Sequence, residues 1–364
     1  MRKAKSPDHS SHELPDNLFP KSSHGPSQVA NLNEPGRIVA IGGGTGLSTL
    51  LRGLKEFAPR FGQPDAARPI ADLAAVVTVM DDGGSSGRLR REYSILPPGD
   101  IRNCLVALSD DEALLNKLFR YRFAEGRGLR GHSLGNLFLT ALTNITGDFA
   151  EAVRESGRVL AIRGRIYPST LQNVTLEATM ENGRVVAGET RIPRAGGRIR
   201  ELRLRPRRVR PLAEAMRAIE NADVILVGPG SLYTSVIPNL LVTGVAEAIE
   251  RSRAARVFIS NLMTQPGETD GMSTADHVRA IYQHTGCKLF DWVVISQANI
   301  SPRVAKRYRA EGAEPVINDM RDLAQLGLRC ISGELLEESG VIRHDPARLA
   351  GLLVKTFLMR DGAH

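Results

Sequence analysis

The most constraining feature of this chain is a repeated pair: a short apolar segment followed at once by a loop rich in glycine and hydroxyl side chains. The apolar segments lie at 37–41, 74–80, 223–227, 255–260 and 292–296, and helical spacing of apolar residues follows most of them. Strands that are apolar on both faces and alternate with helices are typical of a parallel sheet covered on both sides. The sequence therefore predicts an α/β fold, Rossmann-like and doubly wound, with a mostly parallel sheet.

The pattern changes between residues 163 and 210. There the strands alternate polar and apolar residues around an Asn182-Gly183 turn, which predicts a small antiparallel β insert. We expect the Rossmann-like core to be discontinuous, formed by 37–162 and 211–358. Residues 1–36 are rich in Ser, Pro, His and Asn and are predicted to be a disordered tail.

Composition excludes several classes of protein. The chain has 364 residues, 42% hydrophobic and 24% charged, which is ordinary for a globular protein. No apolar run approaches the roughly 18 residues of a membrane span, and the tail lacks the apolar core of a secretory signal. The three cysteines are far apart in the sequence, which favours neither disulfides nor a zinc site. We expect a cytoplasmic protein.

The net charge of +8 is concentrated in the insert, where 12 arginines face 4 glutamates. Such a patch could attract nucleic acid. However, no aromatic residues interleave these arginines to stack on bases, and no nucleic-acid-binding motif accompanies them. The sequence therefore argues against nucleic acid as a partner, and an arginine-rich solvated surface is the simpler interpretation.

The loop after the first strand reads GGGTG and predicts an anion site. It comprises Gly42, Gly43, Gly44, Thr45 and Gly46, and a helix follows it directly. Glycines allow close approach of the backbone to a phosphate, and a helix N-terminus adds free N–H groups. The loop matches neither the GxGxxG fingerprint nor a P-loop.

An acidic pair, Asp81 and Asp82, ends the second strand within DDGGSSG. These carboxylates are candidates to hold a ribose hydroxyl or a Mg²⁺ ion beside phosphates. The alternative is a simple Asp-Gly turn. Asp100, in PPGDIRN, is either a further carboxylate of the site or a helix cap.

Three other loops supply candidate ligand contacts. Residues 228–235 read GPGSLYTS and include Gly228, Gly230 and Ser231, while Thr264 lies in the polar loop 261–270. Asn136 lies in GHSLGN at the start of a predicted helix; the neighbouring His132 has no carboxylate at readable spacing and is not assigned a catalytic role. Because ligands bind beyond the carboxyl ends of parallel strands, we expect Gly43 and Gly230 to line one cavity.

As a set, these motifs resemble the gluconeogenesis factor family, in the superfamily of the 2-phospho-L-lactate transferase of coenzyme F420 synthesis. The resemblance rests on segments that occur in the family's order: GGGTG, MDDGGSSGRLR, LPPGDIRNCLVAL, GHSLGNLFL, GPGSLYTSVIPNLLV, NLMTQPGETDGM, YRAEGAEPV and VIRHD. It spans roughly residues 37–350. The chain departs from the transferase pattern, since Leu47 and Ser48 follow the glycines where a lysine is expected.

The resemblance implies a cytoplasmic bacterial protein that supports cell shape and growth on gluconeogenic carbon sources by sensing UDP-N-acetylglucosamine. It also implies that Tyr308 and Arg343 contact the nucleotide, and that protein partners in peptidoglycan precursor supply respond. A homodimer is compatible with the sequence but cannot be read from it. The alternative is a Mg²⁺-dependent transferase acting on a nucleoside diphosphate-linked substrate. Of the two, the sequence favours a protein that is not an enzyme.

Overall fold

The structure is a computed structural model that describes residues 35–60, 63, 65–110 and 112–359. The predicted tail lies outside these residues except for Pro35 and Gly36, and Gly36 already belongs to the first strand. The described strands are β1 (Gly36–Gly42), β2 (Ile70–Val77), β3 (Arg165–Pro168), β4 (Thr175–Met180), β5 (Val185–Ala187), β6 (Ile199–Arg205), β7 (Val224–Val227), β8 (Ala255–Ile259), β9 (Trp292–Ser296), β10 (Arg329–Gly333), β11 (Leu336–Ser339) and β12 (Val341–His344).

Helices connect most of these strands. They are α1 (Gly44–Leu54), α2 (Gly84–Tyr93), α3 (Gly99–Leu108), α4 (Glu112–Arg120), α5 (Leu134–Thr146), α6 (Phe149–Val159), α7 (Ala213–Glu220), α8 (Ile237–Leu240), α9 (Val245–Arg251), α10 (Thr274–Thr285), α11 (Pro302–Ala310), α12 (Met320–Gln325) and α13 (Pro346–Leu358). A π-helical turn, Leu232–Val236, precedes α8.

Seven strands form one parallel sheet in the order β10-β9-β8-β7-β1-β2-β3. From β1 the chain moves to β2 and β3 on one side, and later from β7 to β10 on the other. The direction of winding therefore reverses between β1 and β7, which is where α/β sheets bind ligands. The predicted α/β, Rossmann-like fold is confirmed.

The sheet is buried on both faces, which explains why its strands are almost continuously apolar. In β1, Val39 and Ile41 belong to one apolar cluster, while Ile38 and Ala40 belong to the cluster on the opposite face. Residues of α1, α3 and α13 complete the second cluster. Those of α7, α9 and α10 complete the first.

The small antiparallel sheet, in the order β5-β4-β6, packs on the core rather than standing apart from it. Leu176 of β4 and Leu202 of β6 belong to the same apolar cluster as Val39. The predicted insert began at 163, but Arg165–Pro168 pairs with β2 in the main sheet, and the small sheet spans 175–205. The strand after the Asn182-Gly183 turn, β5, has three residues and ends before Gly188, which adopts a φ of 106°.

Within the described residues, no single helix combines the length and the apolar composition that crossing a membrane requires. In the described part of the chain, one bent pair, Leu232–Leu240 and Val245–Arg251, meets that test when its two helices are taken together. The three cysteines, Cys104, Cys287 and Cys330, are free thiols in the structure.

Candidate functional site

The loops after four adjacent strands meet at one cleft of about 600 Å³ at the carboxyl edge of the sheet. Ten of the predicted site residues line it: Gly43, Gly44, Thr45, Gly46, Asp81, Gly230, Ser231, Thr264, Tyr308 and Arg343. The expectation that Gly43 and Gly230 share one cavity is met. What these residues bind stays a prediction.

The two glycine loops are in direct contact at the switch point. A β-carbon on Gly46 would lie 2.3 Å from the carbonyl oxygen of Pro229, and one on Gly43 would lie 2.5 Å from Cγ2 of Thr78. A side chain at Gly46 would therefore push the two glycine loops apart, and one at Gly43 would displace Thr78. The glycines allow the backbone of α1 to begin at the wall of the cleft, and the N-cap residue, Gly43, has no side chain to cap that helix.

Amide side chains from the loop after β8 fix the loop after β7. The side chain of Asn261 accepts a hydrogen bond from the Gly230 N–H at 3.1 Å and donates one to the Gly230 carbonyl at 2.9 Å. Gln265 donates to Oγ of Ser231 at 2.8 Å. These three hydrogen bonds hold Gly230 and Ser231 in place, and none of them involves the backbone N–H of Ser231.

Carboxylates form the floor of the cleft. Asp100, in the first turn of α3, accepts a hydrogen bond from the Gly44 N–H, so it lies where an anion at the α1 N-terminus would lie. Burial and the neighbouring Asp81 raise the pKa of Asp100 to about 6. Asp81 is oriented by the Gly83 N–H, which donates to its Oδ1 at 2.7 Å. Asp100 therefore lines the cleft, and its role in binding a ligand stays a prediction.

Glu189 also lines the cleft, and no sequence pattern predicted it. It follows β5 and is carried into the cleft because the antiparallel sheet packs on the core. Burial raises the pKa of Glu189 to about 8, with further contributions from Asp81 and Asp100. Burial likewise raises the pKa of Glu268, behind the loop after β7, to about 7.

Further lining of the cleft comes from α11 and the β11–β12 hairpin. The Ile342 N–H donates to the Tyr308 hydroxyl at 2.8 Å, which ties α11 to the hairpin. Arg343 is an exposed residue of β12 that also lines the cleft, and its neighbour His344 is buried with its pKa lowered to about 4 by burial. The residues implied by the family resemblance thus line the same cleft as the glycine loops.

Four predicted residues do not line this cleft: Gly42, Asp82, Asn136 and Gly228. Both the N–H and the hydroxyl of Thr190 donate to Oδ1 of Asp82, at 3.0 and 2.8 Å. Asp82 therefore anchors the insert to the core, and its role in binding a ligand stays a prediction. Gly42 and Gly228 take part in backbone hydrogen bonds at the ends of β1 and β7.

Asn136 is buried at the start of α5. Its amide donates to Ser85 at 3.2 Å, and its carbonyl accepts from Arg102 at 2.9 Å. His132 forms a 2.9 Å hydrogen bond with the same serine, and burial lowers its pKa. This network joins α2, α3 and α5 behind the floor, so it supports the cleft rather than lining it.

The acidic floor has the chemistry of a Mg²⁺ site, since Mg²⁺ prefers carboxylate oxygens and ligand phosphates. In the part of the chain that the structure describes, no three His, Cys, Asp or Glu side chains form a group that could hold a metal ion. Asp81 and Asp100 fit a Mg²⁺ ion only as a pair, with further ligands from a bound phosphate. Asp82, predicted as the second metal ligand, accepts hydrogen bonds from Thr190, and its role in metal binding stays a prediction.

Comparison with known proteins identifies the family. Residues 38–336 match the family model described as 2-phospho-L-lactate transferase CofD. The chain is 49% identical to the gluconeogenesis factors of Halalkalibacterium halodurans and Bacillus subtilis over 319 residues, covering 87% of this chain and 95% and 97% of those proteins.

A solved structure agrees with these sequence matches. The crystal structure of a UPF0052-family protein from Bacillus halodurans superposes with a TM-score of 0.81 at 49% identity, covering 87% of this chain and 98% of that one. Together, the family model and the two sequence relatives show that this chain is a member of the CofD family, in its gluconeogenesis factor group.

Proposed function

We propose that the cleft binds a nucleoside diphosphate sugar, with UDP-N-acetylglucosamine as the first candidate, and that the protein acts as a regulator of cell shape and peptidoglycan precursor supply. The observation that carries the proposal is the convergence of two glycine loops and Arg343 on one cleft of about 600 Å³. This volume lies within the range of pockets that hold ligands of this size.

The chemistry of the groups that line the cleft supports the binding of a diphosphate. Backbone N–H groups at glycine loops and helix N-termini bind phosphate oxygens, and a guanidinium can bind two oxygens at once. Tyr308 offers an aromatic ring for the base, and its hydroxyl is already fixed by Ile342. The sugar would then extend toward the polar loop that contains Thr264.

The carboxylates on the floor of the cleft affect how a diphosphate can bind. A diphosphate beside ionised Asp81 and Asp100 would be repelled. The raised pKa of Glu189, about 8, keeps that carboxyl protonated at neutral pH, so it can donate a hydrogen bond to a ligand oxygen. Any remaining repulsion would be offset by Arg343 or by a divalent cation.

Calorimetric titration with UDP-N-acetylglucosamine tests the proposal. We expect binding in the micromolar range, and we expect Arg343→Ala to weaken it about ten- to hundredfold through loss of a charge-assisted hydrogen bond. Arg321→Ala, an exposed arginine of α12 outside the cleft, is the matched control and should bind like the unaltered protein. Absence of heat at millimolar ligand would refute the proposal.

A second candidate function is transfer of a phosphorus-containing group with Mg²⁺. The observation that favours it is the pairing of Asp81 with Asp100 beside the glycine loop. A bound Mg²⁺ ion would neutralise charge on the phosphates, while Asp81 and Asp100 would hold it and Gly44 would orient Asp100.

Turnover of nucleoside diphosphate-linked substrates with Mg²⁺ tests this second function. If the protein is a transferase, we expect Asp81→Asn to reduce turnover at least a hundredfold, because the metal loses one of two protein ligands. Asp270→Asn, in an exposed loop outside the cleft, should leave turnover unchanged. Binding of the nucleotide sugar without turnover across a panel of donors would leave the regulatory function standing and reject the transferase.

A further inference from the structure

His344, the last residue of β12, is a buried polar side chain at the cleft. It lines the cleft, and only 6% of it is exposed. The residues of β12 alternate between exposed and buried, and His344 is on the buried side together with Ile342. Its backbone is fixed by the ladder with β11 and by the next residue, Asp345, which caps α13. The position of His344 is therefore set by the fold and does not depend on a bound ligand.

The imidazole of His344 has no hydrogen-bond partner among the residues that the structure describes. The three other histidines in this part of the chain each use Nδ1 in a hydrogen bond. His132 bonds to Ser85 at 2.9 Å, and His277 and His284 bond to backbone carbonyls at 2.7 Å. Buried polar groups in folded proteins are almost always hydrogen-bonded. The ring of His344 is thus a polar group of the cleft that a bound molecule would satisfy.

A neutral imidazole suits a neutral polar group of a ligand. Burial lowers the pKa of His344 to about 4, so the ring is uncharged at neutral pH. One of its nitrogens then donates a hydrogen bond and the other accepts one. Phosphate oxygens are better bound by backbone N–H groups and by the guanidinium of Arg343. A nucleobase such as uracil offers both an N–H donor and carbonyl acceptors.

The place of His344 on the hairpin favours the base over the sugar. The Ile342 N–H donates to the Tyr308 hydroxyl at 2.8 Å, which fixes the ring proposed to stack on the base. His344 follows Ile342 by two residues, so it lies on the same face of the strand, about 7 Å further along. Thr264, toward which the sugar would extend, belongs to a different loop, after β8.

We propose that His344 is a specificity residue of the cleft, which forms a hydrogen bond with the polar edge of the nucleobase that stacks on Tyr308. This inference rests on the proposed function, because it requires that the cleft binds a nucleoside diphosphate sugar. It adds a contact to the nucleotide that neither the sequence patterns nor the family resemblance assigned.

His344→Leu tests the contact, because leucine has a similar volume and no hydrogen-bonding atom in its side chain. Calorimetry should show about tenfold weaker binding of UDP-N-acetylglucosamine, as expected for one lost hydrogen bond. The thermal unfolding midpoint without ligand should rise, since an apolar group replaces a buried polar group that has no partner. A histidine that only packs would give the reverse, with a lower midpoint and unchanged affinity.

Two further variants serve as controls. His344→Gln keeps one donor and one acceptor in its side chain and should bind within about threefold of the unaltered protein. His277→Leu replaces another buried histidine, in α10, which does not line the cleft. Its affinity for the nucleotide sugar should be unchanged. Equal losses of affinity in His277→Leu and His344→Leu would contradict a specific contact.

A series of shortened ligands locates the contact on the nucleotide. UMP and UDP-N-acetylglucosamine share the base, so His344→Leu should weaken both by the same factor. Ribose 5-phosphate lacks the base and should compete equally well for both proteins. A loss limited to UDP-N-acetylglucosamine would place His344 beside the sugar, and an equal loss for ribose 5-phosphate would place it beside the ribose. Either result would overturn the assignment to the base.

Failure of this inference differs from failure of the proposed function. If the unaltered protein binds the nucleotide sugar and Arg343→Ala weakens that binding, unchanged affinity in His344→Leu rejects the histidine contact alone. Absence of binding by the unaltered protein rejects the proposed function, and the role of His344 falls with it.

Discussion

Replacing Gly46 by alanine is expected to lower the free energy of unfolding by about 3 kcal/mol. The added β-carbon would lie 2.3 Å from the carbonyl oxygen of Pro229, closer than carbon and oxygen can approach without a shift. The obstacle is backbone on both sides, so a change of rotamer cannot relieve it. Either α1 or the loop after β7 must move, and both carry residues of the cleft. We therefore expect loss of nucleotide-sugar binding together with the loss of stability.

Gly351→Ala is the matched control for this substitution. Gly351 lies within α13, and a β-carbon there would meet nothing within 4 Å. Alanine stabilises a helix interior by up to about 1 kcal/mol relative to glycine. Chemical denaturation should therefore move the two variants in opposite directions. An unchanged midpoint for Gly46→Ala would mean that the two glycine loops are not packed as described.

The glycine loops could be predicted from the sequence because their cause is local. A strand that is apolar on both faces, followed at once by several glycines, specifies a parallel strand, a close approach of backbone and a helix start within ten residues. The same reasoning predicted that residues 43–46 lie near Gly230 and Ser231, because the carboxyl ends of parallel strands lie at one edge of the sheet. The location of the cleft could therefore be predicted from the sequence.

The residues that the sequence did not reveal depend on tertiary packing. Glu189 reaches the cleft only because Leu176 and Leu202 pack the antiparallel sheet on the core. Asp82 and its neighbour Asp81 look equivalent in the sequence. In an extended segment, however, consecutive side chains point to opposite sides, so one faces the cleft and the other faces Thr190. No single-residue pattern distinguishes these outcomes.

Glu189 should make the stability of the folded protein fall as pH rises. Its pKa of about 8 in the fold lies above the ordinary value of 4.5, mainly because of burial. Between these values the folded protein holds a proton that the unfolded chain has lost. The free energy of unfolding therefore decreases as pH rises across this interval and levels off above about pH 8. Asp100, with a pKa of about 6, acts in the same direction over a narrower interval.

Glu189→Gln removes this titration while keeping the size of the side chain. Since one pKa unit corresponds to about 1.4 kcal/mol and partial exposure screens the effect, we expect the variant to lose about 2 kcal/mol less stability than the unaltered protein between about pH 5 and pH 8. Denaturation curves at the two pH values measure this difference directly. Glu220→Gln, an exposed glutamate at the end of α7, should retain the full pH dependence.

The same proton links stability to ligand binding. A diphosphate beside Glu189 adds negative charge and favours the protonated carboxyl, so binding should take up protons near neutral pH and weaken as pH rises toward about 9. In Glu189→Gln the carboxamide donates a hydrogen bond at every pH, and this weakening should become smaller. A variant that loses stability with pH as steeply as the unaltered protein would show that Glu189 is ionised in the fold. The acidic floor would then require a cation before any phosphate could bind.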